Sequence, residues 1–128
     1  MKLLLDTHTF IWLATAPEKL SSAALEACSD LDNDLYLSVV TPWEIQIKTQ
    51  LGKLSLPASL EHMIARQVKE NGLTIMPVTL SHVYALDGLA QHHRDPFDRL
   101  LIAQAMVENM TVVSRDGWFG AYSVSVIW

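Results

Sequence analysis

A chain of 128 residues, half of them hydrophobic and 18% charged, is too apolar for a disordered segment and of the size that buries one core, so one domain over 1–128 is expected. Its net charge of −5, from 9 Lys and Arg against 14 Asp and Glu, speaks at first sight against a polyanionic partner. The lone Cys28 excludes an internal disulfide and a cysteine metal site, no run reaches the ~18 apolar residues of a membrane span, and MKLLLDTHTF shows no signal peptide, so a cytoplasmic location is expected.

In chain order, KLLLD (2–6) is a short apolar run ending in Asp6, a buried strand feeding a helix that opens with THTFIWLA. Ser21 and Ser22 cap a short helix through AALEAC, and SDLDND leads to a second strand, LYLSVV (35–40). TPWEIQIKTQL (41–51) reads as a helix with Gly52 beyond its end, and Pro57 precedes another over SLEHMIARQVKEN, stopped at Asn71 and Gly72. LTIMPV is a third strand and LSHVYALDGLA a further helix. A helix beginning at Asp95 runs to Asn109, TVVS (111–114) is the fourth strand, and YSVSVIW alternates as an edge strand should. Strands that are continuously apolar and separated by helices predict an α/β fold, a three-layer α/β/α sandwich around a mainly parallel sheet.

The segments TPWE (41–44) and DPFD (95–98) share a pattern of capping residue, proline, aromatic and acid, which fits N-cap, N1, N2 and N3 of a helix. Thr41 with Glu44 would form a capping box and Asp95 with Asp98 a shorter version, so each acid has an ordinary structural explanation. Topology supplies another. In a parallel α/β sheet the strand ends and the starts of the following helices share the edge where ligands bind. Asp6, Glu44 and Asp116 are placed there by strand-to-helix logic, and Asp98 joins them less directly. Converging carboxylates repel one another unless cations neutralise them, and hard oxygen donors suit Mg²⁺ or Mn²⁺. With those four acids set aside, the remaining charge is nearly balanced and a nucleic acid becomes electrostatically acceptable.

LLLDTHTFIW, SVVTPWEIQIK, HRDPFDRLLIAQA and VVSRDGWF, taken in order, resemble the acidic motifs of PIN-domain ribonucleases, specifically VapC-like toxins of type II toxin-antitoxin systems. The resemblance spans nearly the whole chain. It implies a Mg²⁺-dependent endoribonuclease that hydrolyses RNA phosphodiester bonds with metal-activated water, a cognate antitoxin and a homodimer. Carried over by position, Asp6, Glu44, Asp98 and Asp116 are the catalytic acids, with Asp6, Asp98 and Asp116 as metal ligands. The pattern puts Asp98 in the site, whereas Asp95, before Pro96, is the natural N-cap and only an auxiliary candidate.

Thr7 and Ser114 stand beside two of the acids and are candidates to orient a carboxylate or water, or to make ordinary turn hydrogen bonds. His93, Arg94, Arg99 and Arg115 are candidate RNA contacts, with local ion pairs the simpler explanation for the arginines. Trp12, Trp43, Phe97 and Trp118 are expected to pack, Trp118 having base stacking as a second use. Met63, Ile64, Val68, Val83, Leu86 and Leu89 exceed one narrow apolar stripe and suit either the core or a partner face. Two other readings compete. LLLDTHT resembles the nucleophile motif of haloacid-dehalogenase-type phosphatases, but His8 stands where their second acid belongs; and a PIN-like fold can serve as an inactive binding module whose acids are only caps.

Overall fold

Leu3, Leu4 and Leu5 are all fully buried because the strand they form has neighbours on both edges and helices on both faces. In the computed structural model, which describes residues 1–92 and 95–128, β1 (Lys2–Leu5) is the centre of a five-stranded sheet. Its partners are β2 (Asp34–Ser38), β3 (Thr74–Met76), β4 (Thr111–Val113) and β5 (Val126–Ile127), in the order β3-β2-β1-β4-β5. Every pairing is parallel, with Leu3 opposite Leu35 on one side and Thr111 on the other. The C-terminal segment expected to alternate over 122–128 pairs only at Val126 and Ile127, as a parallel edge strand.

Alternation along the strands divides the core in two. Leu3, Leu5, Leu35, Leu37 and Val113 face Phe10 and Ile11 of α1 (Thr7–Thr15), Ala24 and Cys28 of α2 (Ser22–Ser29), Ile45 of α3 (Val40–Gln50) and Met63 of α4 (Leu60–Asn71). Leu4 and Val112 face the opposite layer, made by Leu101, Ile102 and Ala105 of α6 (Pro96–Glu108), with Phe119 and Tyr122 after it. A short α5 (Leu80–Ala85) packs against α6. This is the expected three-layer α/β/α sandwich, its sheet wholly parallel. Burial pushes the Cys28 thiol up to about 11, so the lone cysteine is an inert packing group. Among the described residues no helix is long and apolar enough to cross a membrane.

The chain runs from β1 outward to β2 and β3, then returns across the sheet to β4 on the other side of β1. Strand order therefore reverses between β1 and β4, and the crevice beyond their carboxyl ends is where open α/β sheets bind ligands. Asp6 follows β1; Ser114 and Asp116 follow β4.

The TPWE expectation fails in detail. α3 begins at Val40, with Val39 as N-cap and no side-chain cap of its own, while Ser38 Oγ accepts from Val40 N–H. Thr41 is thus inside the first turn, its hydroxyl buried without a hydrogen-bond partner, and no capping box to Glu44 forms. Pro42 is tolerated because first-turn N–H groups have no intrahelical acceptor. Trp43 is 57% exposed and Trp118 51% exposed, so neither is core. Trp12 and Phe97 are half-buried, and Phe97 meets Trp43 edge-on at 5.2 Å, tying the starts of α3 and α6 together at the surface. The DPFD expectation holds for the cap: Asp95 is the N-cap of α6, its Oδ1 accepting from Phe97 and Asp98 N–H. Of the six apolar residues singled out between 59 and 92, Met63 and Leu89 are buried and Ile64 and Leu86 partly so, leaving Val68 and Val83 exposed.

Candidate metal and nucleic-acid site

Four segments distant in sequence meet at the switch point. A pocket of about 300 Å³ is lined by Asp6, Thr7, His8, Trp12, Glu44, Asp98, Arg115 and Asp116. All four acids singled out from the sequence are there. Asp95 is not among the lining residues. It spends one oxygen on two backbone N–H groups of its own helix.

Asp6 sits at the end of β1 as the N-cap of α1, and its carboxylate is almost completely covered. Oδ1 accepts from Thr9 N–H at 2.9 Å and Oδ2 from the Ser114 hydroxyl. Burial raises the Asp6 carboxyl above its ordinary range, opposed by the hydrogen bonds from Ser114 and Thr9 and, more weakly, by the charge of His8. No Lys or Arg forms an ion pair with it among the described residues. Such a carboxylate lacks the countercharge that its burial demands. Ser114 has a second task, accepting from Asp116 N–H at 2.9 Å, which links two of the acids through one hydroxyl. Asp116 Oδ1 in turn accepts from Trp118 N–H and starts a 3₁₀ turn over Gly117–Ala121.

Glu44 is equally buried but differently satisfied. Its Oε1 accepts from the Thr7 hydroxyl at 2.6 Å and its Oε2 from Lys48 Nζ at 2.5 Å, one turn along α3. Lys48 was not singled out from the sequence, although an acid followed four residues later by a lysine on one helix is a recognisable pair. Burial works to lower the Lys48 ammonium; the hydrogen bond and charge of Glu44, then the charges of Asp95 and Asp98, outweigh it and hold the group above its ordinary range. His8 was likewise missed as a site residue; it lies on the pocket wall with its ring 5.5 Å from that of Trp12.

The other candidates separate. Thr7 and Ser114 orient carboxylates, and Arg115 lines the pocket. The Arg99 guanidinium donates to the carbonyls of Ala90 and Leu89, which commits it to holding the preceding loop. His93 and Arg94 lie outside the described residues.

Among the described residues no three His, Cys, Asp or Glu side chains stand close enough to grip an ion together. The set Asp6, Asp98 and Asp116 therefore shares a pocket without forming a closed cage. Asp6 leans on Thr9 N–H and the Ser114 hydroxyl, and Asp116 on Trp118 N–H. The chemistry of the set still fits a hard divalent ion: it is all oxygen, it converges on one hollow, and its most buried member has no Lys or Arg ion-pair partner among the described residues.

A PIN domain family model matches residues 3–123. The chain is 28% identical over 116 residues to "Ribonuclease VapC22" of Mycobacterium tuberculosis, covering 88% of this chain and 85% of that one. Among solved structures it is similar to VapBC2 from Rickettsia felis bound to a DNA fragment from their promoter, with a TM-score of 0.74 at 14% identity over 98% of this chain and 97% of that one. It is also similar to a toxin-antitoxin complex from Klebsiella pneumoniae, with a TM-score of 0.62 at 14% identity over 98% and 96% of the two chains.

Proposed function

The chain belongs to the PIN domain family, and from that premise we propose that it is a metal-dependent endoribonuclease, the toxin of a toxin-antitoxin pair, hydrolysing RNA phosphodiester bonds with Mg²⁺ or, in its place, Mn²⁺. The observation that carries this reading is the convergence of Asp6, Glu44, Asp98 and Asp116 from four segments on one pocket at the switch point of the sheet. The name of the mycobacterial relative, a ribonuclease, and the Klebsiella neighbour, a toxin-antitoxin complex, support the substrate class and the antitoxin partner.

In this reading Asp6, Asp98 and Asp116 hold the cation. When bound, a divalent ion there supplies Lewis acidity toward a phosphate oxygen and toward water. The residues of the chain do the positioning. Ser114 and Thr9 fix both oxygens of Asp6, so its carboxylate is already aimed before any ligand arrives. Thr7 and Lys48 fix Glu44, whose remaining lone pairs orient the attacking water. Arg115 offers its guanidinium on the pocket wall to the RNA backbone, with His8 beside it. The net charge of −5 includes the four pocket acids, so a cation bound there would also make the encounter with RNA tolerable. The exposed Leu80, Val83 and Tyr84 on α5 support a homodimer interface.

RNA cleavage by Asp98→Asn at saturating Mg²⁺ tests the assignment. Loss of activity to the level of a chelated control is expected, and cleavage close to that of the wild type would overturn it. A binding module whose acids only cap helices would show neither cleavage nor a specific Mg²⁺ isotherm.

A further inference from the structure

The pocket has two unequal halves. On the Asp6 side the carboxylate oxygens meet only neutral donors, Thr9 N–H and the Ser114 hydroxyl. On the Glu44 side both oxygens are taken, one by the Thr7 hydroxyl and the other by an ammonium group. The Lys48 side chain is 37% exposed and that of Glu44 4%, so the ammonium arrives from the solvent side and closes over the carboxylate. The charges of Asp95 and Asp98, at the start of α6, also favour the ammonium form of Lys48.

Resting on the nuclease reading, we propose that Lys48 is a resident cation standing in for a second metal ion: by holding Glu44 it limits the pocket to one divalent ion, held in that reading by Asp6, Asp98 and Asp116. Two-metal phosphoryl-transfer sites bring two ions close together, so carboxylates serve both. Glu44 is poorly placed for that service. An ion approaching Oε2 meets Lys48 Nζ on the same oxygen, and one approaching Oε1 shares it with the Thr7 hydroxyl while remaining next to the ammonium. Either approach sets a dication against a cation already paired with Glu44. Asp6 presents no such barrier. Lys48 acts through Glu44 and is a positioning residue: it fixes one carboxylate of the pocket and supplies, without a second ion, positive charge beside it.

The test is the Mn²⁺ count of the full-length, metal-free protein, read by calorimetry and by electron paramagnetic resonance. The wild type is expected to take one Mn²⁺ per chain with a mononuclear spectrum. Lys48→Met frees Glu44 and is expected to take two, with spin coupling between them, while Lys48→Met combined with Glu44→Gln returns to one. Lys48→Arg, which keeps the charge, stays at one. Should Lys48→Met fail to fold, Lys48→Gln serves in its place. Two ions in the wild type, or a folded neutral variant that still takes one, overturns the role given to Lys48 and leaves the nuclease reading intact. Absence of any Mn²⁺ binding by the wild type, with RNA cleavage indifferent to chelator, overturns both.

Discussion

Removing the Ser114 hydroxyl measures how much of the site is assembled before any ligand binds. In Ser114→Ala, Asp6 Oδ2 loses its donor and Asp116 N–H loses its acceptor. A hydrogen bond to a charged group contributes about 1.5–3 kcal/mol and a neutral one about 0.5–1.5 kcal/mol. Ser114 is buried, so water replaces the first bond poorly; the Asp116 turn is partly exposed and recovers some of the second. The expected loss at neutral pH is about 2–4 kcal/mol, a fall in melting temperature on the order of 10 °C for a domain of this size. Because the Ser114 bond lowers the Asp6 carboxyl, its removal raises that group further, and the cost is greatest where Asp6 is ionised and shrinks on acidification. Thermal melts in chelator across pH read this directly. Combining the change with Asp6→Asn isolates the pair, with a coupling of about 1 kcal/mol or more expected. Calorimetry with Mn²⁺ should show affinity lower by about 10–100-fold, as for other groups that orient a ligand. A loss below about 0.5 kcal/mol at neutral pH with no coupling to Asp6 would refute the view that this hydroxyl holds the carboxylate in place.

Asp6→Asn alone should stabilise the metal-free protein at neutral pH by about 1 kcal/mol, since asparagine caps a helix as well as aspartate and carries no charge to bury. The folded-state carboxyl is raised above its ordinary value, so the contribution of Asp6 to wild-type stability falls as pH rises from that value through the folded one, and the advantage of the variant should vanish in acid; a variant that melts lower at every pH contradicts the assignment. Asp95→Ala should cost about 1 kcal/mol by loss of the α6 cap, with Mn²⁺ stoichiometry unchanged. His82→Ala should cost about 2–4 kcal/mol, because buried His82 accepts from Thr79 N–H, contacts Gln104 and pairs with Glu108; Mn²⁺ affinity of the folded fraction should be that of the wild type, and a change would give this histidine a part in the site.

The strands were legible because their composition carries the topology: KLLL and LYLS are apolar on both faces, which only a sheet covered on both sides requires. Asp95 was legible for a local reason, since aspartate before proline at a helix start has one dominant conformation. TPWE carries the same pattern and misled. What decides the start of α3 is Ser38, at the end of β2, whose hydroxyl takes the Val40 N–H and begins the helix before Thr41 is reached. Trp43 and Trp118 misled similarly, because large apolar side chains signal burial only on average. The pair Glu44 and Lys48 was written in plain helical spacing, yet on a surface helix that spacing is common and weak; only the burial of Glu44 makes it decisive.

Capping and chemistry need not be rival uses of these acids. A helix N-terminus carries positive potential, and the carboxyl ends of parallel strands deliver the chain to helix N-termini along one edge. The field that makes aspartate a good cap therefore lowers the cost of storing several carboxylates there before a cation binds. Asp6 shows both uses at once: one oxygen caps α1, the other is held toward Ser114, and the group lines the pocket. Asp95 shows the first use, its Oδ1 taking both N–H groups, while Asp98, three residues on, lines the pocket. Which acid works in the site thus depends less on whether it caps than on whether it reaches the crevice where the strand order reverses.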